Sequence, residues 1–332
     1  MGQLGCSAAG CLVPRLQADR RATFNVRLPR LASFSSVAFD NKYRLRLLSN
    51  GSHSVHSLAD DETFHPGIGP VAEAEALYVR QLRLIDRANA KPEPFVLWDV
   101  GLGAAANALT AIRLITESVP CSNALRQLRI ISFDQTLDAA AFALQHAAEL
   151  VYPTPFAMSL QKLIEQGHVV FTSGKWEARW TVLLGDFPSW IRKVSDERMP
   201  ADVEPPHAIL FDPHSPRKNP AMWTVSLFSD LFRALDPTRP CSLANFTRST
   251  LARAAMLLGG FYVGAGHPSG MKEETTVAAN RLELIEEPLD ERWLQRAERS
   301  DSAEPLWESV YRQSPLRPET LRQLREHPQF KR

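Results

Sequence analysis

The chain has 332 residues, of which 44% are hydrophobic and 23% are charged, and its formal net charge is +1. This composition is typical of a globular protein with one large domain or two, and no run approaches the ~18 apolar residues of a membrane-spanning helix. The near-neutral charge excludes a general attraction to nucleic acid. The four cysteines form no CxxC pair, so we expect reduced thiols in a cytoplasmic protein, with no metal site and no disulfide framework.

The chain begins with a basic segment. Residues 1–48 contain eight Lys or Arg and two Asp, which gives a local charge of +6. Such a segment can contact phosphates, but a disordered or loosely ordered, solvated leader over residues 1–40 is the simpler interpretation. The folded domain is predicted over 41–286. It starts with a β-hairpin, because polar and apolar residues alternate on both sides of Asn50-Gly51.

A turn-rich loop follows the hairpin, with the sequence Glu62-Thr-Phe-His65-Pro-Gly-Ile-Gly-Pro. From Val71 to about Ala90, apolar residues recur at intervals of three and four, which predicts a helix. Two prolines in the next four residues stop this helix before the first core strand.

Residues 95–107 are the centre of the predicted fold: an apolar run containing Asp99, then Gly101-Leu-Gly103, then an Ala-rich stretch. This pattern predicts a buried strand, a tight turn and a helix whose free N–H groups point at a ligand. Gly101-x-Gly103-x-x-Ala106 fits the dinucleotide fingerprint. Asp99-x-Gly101-x-Gly103 equally fits the first motif of S-adenosylmethionine (SAM) methyltransferases, so this stretch alone leaves both cofactors open.

The remaining elements alternate along the chain. Strands are predicted over 128–134, 178–184, 207–211, 241–246, 261–264 and 275–285. Helices are predicted over 104–118, 137–151, 158–165, 221–235 and 250–258. This alternation favours an α/β fold with a doubly wound, mostly parallel sheet. The last two strands have no helix between them, which predicts an antiparallel hairpin at one edge, and residues 287–332 are predicted to form a charged helical tail.

Acidic residues close three of these strands. Asp134 is suited to accept hydrogen bonds from ribose hydroxyls, which both cofactors require. Asp186 can accept from the exocyclic amine of adenine, although capping the next helix is an equal alternative.

Asp212 opens the most distinctive stretch, Asp212-Pro-His-Ser-Pro216-Arg-Lys218-Asn-Pro-Ala-Met-Trp223, which we call the acid loop. Its three prolines fix φ and stiffen it. Hydride transfer has no evident use for such a loop, whereas methyl transfer to nitrogen needs a carboxylate that orients a neutral amine and takes up its proton. Lys218 can hold a phosphate, and Trp223 can either stack on a base or lie in the core.

Four stretches in matching order resemble the methyltransferase domain of the MnmC family, which completes 5-methylaminomethyl-2-thiouridine at the tRNA wobble position. They are Glu62-Thr-Phe-His-Pro with Glu73-Ala-Glu-Ala-Leu-Tyr, Asp99-x-Gly-x-Gly-x-x-x-Asn107, the acid loop, and Gly270-Met-Lys-Glu-Glu274. The resemblance covers residues 40–286 and implies a class I SAM-dependent fold. It also implies methyl transfer to the primary amine of an aminomethyl uridine in tRNA.

The resemblance also assigns roles to single residues. Asp212 would be the catalytic carboxylate. The cofactor side would consist of Asp99, Gly101, Gly103, Asn107, Asp134 and Asp186. The substrate side would consist of Glu62, His65, Pro216, Lys218, Trp223 and Lys272.

Two positions depart from the family pattern: Ala105 replaces a usual glycine, and His214 replaces a favoured phenylalanine. No flavin-binding turn follows residue 290, so we expect no FAD, and a separate oxidase or other enzyme would have to supply the aminomethyl group. Three alternatives remain open. They are a SAM-dependent methyltransferase with another amine or RNA acceptor, a non-catalytic nucleotide- or RNA-binding module, and, ranked last, an NAD-dependent oxidoreductase.

Overall fold

In a computed structural model, the structure describes residues 41–118, 125–269 and 273–331. The predicted leader over residues 1–40 and the candidate Lys272 lie outside these ranges. The described part begins with a small antiparallel sheet of β1 (Tyr43–Leu47), β2 (His53–Ser57) and β3 (Glu62–Thr63). Its first two strands pair in register around the Asn50-Gly51 turn, where Gly51 has φ 82°, so the predicted hairpin is confirmed.

The helical segment after this sheet is not one continuous helix. It consists of α1 (Pro70–Ala74), a π-helical turn (Glu75–Arg80) and α2 (Leu84–Ala90). The break lies at Arg83, which has φ 50° in the left-handed region. A single helix was predicted because a periodicity of three to four does not reveal one residue of left-handed backbone.

A second sheet of eight strands forms the body of the fold. Its strands are β4 (Phe95–Val100), β5 (Arg126–Asp134), β6 (His168–Ser173), β7 (Trp176–Leu184), β8 (Ala208–Phe211), β9 (Ser242–Asn245), β10 (Tyr262–Gly266) and β11 (Thr275–Ala279). Their order across the sheet is β10-β11-β9-β8-β4-β5-β7-β6. The five central strands are parallel, and both edges are antiparallel.

Helices cover both faces of this sheet. They are α3 (Ala106–Glu117), α4 (Asp138–Gln145), α5 (Ala147–Leu150), α6 (Ala157–Gln166), α7 (Phe187–Asp196), α8 (Val225–Ala234), α9 (Thr250–Leu258), α10 (Glu291–Glu298) and α11 (Pro318–Glu326). Since both faces are covered, a central strand is apolar on both sides. All six residues of β4 are buried, with Leu97 in the core of one face and Trp98 in the core of the other.

The position of the candidate site follows from the strand order. The chain adds β5 and β7 on one side of β4, and then returns to add β8 and β9 on the other. Connections leaving the carboxyl ends of β4 and β8 therefore run in opposite directions, which opens a crevice at this edge of the sheet. Gly101 and Asp212, the residues directly after these two strands, lie at that crevice.

The sheet differs from the prediction at both edges. The edge strand β6 was missed, because its outward-facing residues are exposed and only Val169 is buried. At the other edge, the strand predicted over 275–285 ends at Ala279. At Asn280 the side chain takes part in the pairing: it accepts from the Cys241 N–H and donates to the Arg239 carbonyl.

The segment after residue 286 packs against the sheet. Trp293 of α10 and Leu324 of α11 are buried in the core on the face of the sheet that contains Trp98. The Gln329 side chain hydrogen-bonds both backbone groups of Val263 on β10. Within residues 41–118, 125–269 and 273–331, every helix is too short or too polar to cross a lipid bilayer.

Candidate active site

A cleft of about 790 Å³ opens at the carboxyl ends of β4, β5, β7 and β8. The β2–β3 hairpin and the loop after it form its outer wall. Nine of the residues predicted for the site line this cleft: Glu62, His65, Gly101, Gly103, Asn107, Asp134, Asp186, Asp212 and Lys218. The tertiary structure therefore brings five separated stretches of the sequence to one place.

The glycine turn, residues 101–105, touches the acid loop directly. Gly101 has φ 94°, and a Cβ placed on it would lie 2.6 Å from the Asp212 carbonyl oxygen. Only glycine allows this backbone conformation at so close an approach. The turn is held from behind, because the Gly101 N–H donates to the Phe133 carbonyl at 2.9 Å.

Asp134 closes β5 and contacts the same turn. One carboxylate oxygen accepts from the Gly103 N–H at 2.8 Å, and the other accepts from the Gln135 N–H at 2.7 Å. Burial raises the pKa of Asp134, while these backbone hydrogen bonds act in the opposite direction. A carboxylate fixed in this way at the cleft wall can still accept from a ligand hydroxyl, since each oxygen has two acceptor positions.

Asp99 does not line the cleft, although the resemblance placed it among the residues of the cofactor side. Its side chain is fully buried beneath the glycine turn. The Ser132 hydroxyl donates to one oxygen at 2.8 Å, and the Trp180 indole N–H donates to that hydroxyl at 2.8 Å. The other oxygen has no hydrogen-bond partner among the described residues, and burial raises the pKa of Asp99 to about 7.

Asp186 was predicted either to accept from an adenine amine or to cap a helix, and its position suits both roles. It is the N-cap of α7, where its carboxylate accepts from the Ser189 N–H at 2.9 Å. It also lines the cleft on the side of β7. Capping uses part of its acceptor capacity, so the exposed part remains available to a ligand amine.

Asp212 is fixed through its backbone and through its side chain. Its N–H donates to the Val100 carbonyl at 2.9 Å, and its Oδ2 accepts from the Asn107 side chain at 2.6 Å. Further along the acid loop, the N–H groups of Lys218 and Asn219 both donate to the Ser215 carbonyl at 2.9 Å. A carboxylate held by hydrogen bonds at a stiff loop is oriented before any ligand binds.

Two predicted substrate residues do not line the cleft, and a third is not described by the structure. Trp223 is fully buried, packs edge-on against Phe211, and donates its indole N–H to the His214 carbonyl at 2.9 Å. It therefore supports the acid loop from below and cannot stack on a base, which corrects the prediction. Pro216 lies in the loop but does not line the cleft, and Lys272 lies outside the described residues.

His65 stands between two carboxylates. Its Nε2 is 3.7 Å from Asp212 Oδ2, and its Nδ1 is 3.7 Å from Glu73 Oε2. Its backbone is in the left-handed region at φ 50°. Non-glycine residues adopt this region rarely, and when they do they are often found at functional sites.

His214, the second departure from the family pattern, joins the acid loop to the β2–β3 hairpin. Its Nδ1 is 3.3 Å from Glu62 Oε2, and its Nε2 is 3.3 Å from Asp60 Oδ2. Its ring lies 5.8 Å from that of Phe64. The interaction with Glu62 is the largest cause that raises the pKa of His214, so its protonated form is favoured between the two acids.

Sequence reasoning missed three residues of this region. Glu73 and Tyr78 were quoted within a motif but given no role in the site, and Asp60 was not considered. Glu73 and Tyr78 are buried, and they carry polar groups on the inner side of a helical segment. A charged residue on the apolar side of a predicted helix was the available signal, because buried carboxylates are rare unless they are paired.

Acidic side chains outnumber basic ones at the cleft. The acids are Asp60, Asp61, Glu62, Glu73, Asp134, Asp186 and Asp212, and the bases other than histidine are Arg46 and Lys218. A negative cleft attracts cationic ligands. The sulfonium and ammonium groups of SAM match this charge, and the glycine turn with Asp134 matches its ribose, so the residues present fit SAM.

Comparisons with known proteins agree with this chemistry. Residues 156–281 match a family described as S-adenosyl-L-methionine-dependent methyltransferase. The chain is 29% identical over 227 residues to the MnmC bifunctional protein of tRNA 5-methylaminomethyl-2-thiouridine biosynthesis from Aeromonas hydrophila, covering 64% of this chain and 32% of that protein. It is 26% identical over 254 residues to the Hahella chejuensis protein of the same name, covering 72% of this chain and 37% of that protein. The chain thus spans about a third of the length of these relatives.

A solved structure extends the comparison to the fold. The crystal structure of MnmC2 from Aquifex aeolicus matches with a TM-score of 0.60 and 22% identity, covering 86% of this chain and 83% of that one. At this identity the match establishes the fold alone. The central mostly parallel sheet and the antiparallel hairpin at its edge are those of a class I SAM-dependent methyltransferase, as predicted.

Proposed function

Because this chain carries an S-adenosylmethionine-dependent methyltransferase domain related to that of MnmC, we propose that it methylates the amine of a 5-aminomethyl group on a tRNA wobble uridine. The product is the 5-methylaminomethyl uridine. A separate oxidase or aminomethyl-forming enzyme supplies the substrate, and the reaction takes place in the cytoplasm, where the tRNA is.

One observation carries the proposal: the glycine turn and the acid loop lie in contact, with Gly101 against the Asp212 backbone. A cofactor held by the glycine turn and an amine held by Asp212 would therefore meet within one cleft. SAM, when bound, supplies an electrophilic methyl group on a sulfonium. The role of the chain is to align a nitrogen lone pair with the methyl–sulfur bond.

The residues divide between the two ligands. Gly101 and Gly103 let a cofactor approach the backbone closely, because neither carries a Cβ, and Asp134 and Asp186 face it as carboxylate acceptors. Asp212 accepts hydrogen bonds from the acceptor amine, which must lose a proton before it can attack. The amine nitrogen then forms the N–C bond, the C–S bond breaks, and S-adenosylhomocysteine leaves.

Two cations at the cleft suit an RNA substrate. Lys218 is exposed on the acid loop, and Arg46 lies on β1 with its guanidinium bonded to the Thr63 hydroxyl. Both line the cleft. Phosphate contacts from such residues orient an RNA, while the selection of the modified base falls to the cleft itself.

The test is methyl transfer from labelled SAM to tRNA that bears 5-aminomethyluridine. We expect label in the wobble nucleoside after digestion of the RNA, and none with the same tRNA lacking the aminomethyl group. SAM binding by calorimetry runs in parallel. Intact SAM binding without label in the tRNA would refute this acceptor, and absent SAM binding with retained tRNA binding would favour a non-catalytic module.

A second acceptor class is favoured by one specific feature. His214 places Asp60 and Glu62 at the cleft mouth, and acids there attract a small cationic amine better than a polyanion. The same assay with bulk RNA, protein and small amines separates these possibilities. Label in a small amine alone would replace the tRNA assignment and keep the methyltransferase chemistry.

A further inference from the structure

His65 lies in a line of side chains that runs from the cleft into the protein. Asn107 donates to Asp212 Oδ2 at 2.6 Å, the same oxygen is 3.7 Å from His65 Nε2, and His65 Nδ1 is 3.7 Å from Glu73 Oε2. The side chains of His65, Glu73 and Asp212 are 10%, 7% and 16% exposed. The line thus joins the candidate catalytic carboxylate to a second, more deeply buried one.

The backbone conformation of His65 and the position of Glu73 on α1 place the imidazole in this line. The φ of 50° at His65 turns its side chain inward between β3 and α1. Glu73 belongs to α1, where its N–H donates to the Gly69 carbonyl at 3.0 Å. An imidazole with a carboxylate at each nitrogen can accept a proton on one side while the other side is oriented and charge-compensated.

The chemistry of the reaction requires such a group. A primary amine is protonated near neutral pH, and an ammonium has no lone pair to attack a methyl group. Its proton must leave before transfer. Tyr78 cannot accept this proton. Burial, and then the charges of Asp212 and Glu73, raise the pKa of its hydroxyl well above the usual range, so the hydroxyl already carries its proton.

We propose that His65, with Glu73 behind it, takes the proton that the acceptor amine sheds through Asp212. This inference rests on the proposed function. An N–H bond of the ammonium breaks, its proton passes to the Asp212 carboxylate, and from there to His65 Nε2. The neutral amine then forms its bond to the methyl carbon as the C–S bond breaks. His65 acts through Asp212, and Glu73 is a positioning residue that stabilises the imidazolium.

The sharpest variant is His65→Asn, since asparagine enters the left-handed region more readily than most residues and carries no base. In single-turnover methylation of the aminomethyl tRNA at pH 7, we expect a loss of about 100-fold. The deficit should shrink to about threefold near pH 10, where the amine loses its proton to water. Glu73→Gln should lose about tenfold at pH 7, and SAM affinity by calorimetry should stay within about twofold for both.

The matched controls are His267→Asn and Glu286→Gln. These two side chains form another histidine–glutamate pair, with Nε2 and Oε2 3.3 Å apart, but they are exposed and do not line the cleft. Both controls should methylate at the wild-type rate at every pH. They report what the loss of a histidine or a glutamate costs when no proton path is involved.

The outcomes separate this inference from the proposed function. No transfer to the tRNA by the wild-type protein would refute the acceptor assignment and, with it, this role of His65. Transfer by the wild-type protein with an undiminished His65→Asn rate would refute the proton path alone. A His65→Asn deficit of equal size at pH 7 and pH 10 would also refute it, because a purely structural loss does not depend on the protonation of the amine.

Discussion

The two loops that meet at the cleft are built in different ways. The glycine turn is shaped by its backbone: Gly101, Gly103 and Ala105 all have positive φ, at 94°, 50° and 63°. The acid loop is shaped by prolines and side-chain contacts, with Asn107 on Asp212 and Trp223 on the His214 carbonyl. The first loop lets a ligand approach the backbone closely, and the second offers a carboxylate.

This difference explains why the two loops tolerate change differently. A turn made by backbone conformation depends on the absence of a Cβ, so any side chain at Gly101 disturbs it. A loop made by side chains can keep its shape when one functional group is replaced by an isostere. The four predictions below test this contrast, beginning with the largest effect.

Asp212→Asn should remove the chemistry and leave the shape. The amide cannot take up a proton, so we expect single-turnover methyl transfer to fall about 1,000-fold. SAM affinity and the unfolding free energy should change little, because the neutral side chain can still accept from Asn107. A variant that methylates at the parental rate would show that Asp212 is not the catalytic carboxylate.

Gly101→Ala should damage the shape itself. Its Cβ would meet the Asp212 carbonyl oxygen at 2.6 Å, so left-handed strain and overpacking together should cost about 3 kcal/mol of unfolding free energy. The control is Gly51→Ala, at φ 82° with no atom within 4 Å of the new Cβ. It should cost only about 1 kcal/mol in chemical denaturation, and equal losses at the two sites would contradict the close approach.

Asp99→Asn, a change beneath the glycine turn, should alter how the stability of the protein depends on pH. Burial raises the pKa of Asp99 from 3.8 to about 7. The folded state therefore keeps a proton that the unfolded state releases, and stability falls as pH rises through this window. Between pH 5 and 7 this fall in unfolding free energy amounts to about 2 kcal/mol. The variant should not show it, because asparagine does not titrate. Parallel stability–pH curves for the two proteins would count against a buried, protonated Asp99.

Ala105→Gly should have the smallest effect and the opposite sign. Ala105 is fully buried at the N-cap of α3 with φ 63°, where alanine is strained and glycine is not. Relief of the strain is partly offset by the greater entropy of glycine in the unfolded chain, so we expect a gain of up to about 1 kcal/mol. A loss of stability in chemical denaturation would mean that the left-handed conformation at this position is wrong.

The sequence predicted the glycine-turn side of the cleft more fully than the acid-loop side. The strand over Phe95–Val100, the hairpin at Asn50-Gly51 and the turn at Gly101 and Gly103 all follow from local rules, and the structure confirms them as elements. Trp223 was misplaced for a different reason. An aromatic residue in a polar loop is compatible with a surface and with a core, and only packing against Phe211 distinguishes the two.

By itself, the sequence determined the order of most strands and helices, the family resemblance, and which strands end in acids or glycine, because these depend on neighbouring residues. The tertiary structure alone decided that Asp99 lies beneath the site, that His214 contacts Asp60 and Glu62, and that Glu73, His65, Asn107 and Asp212 form one line. These residues are up to 154 positions apart in the chain. Their contacts arise only where the sheet reverses its order beside β4, and the pattern within any one segment cannot predict them.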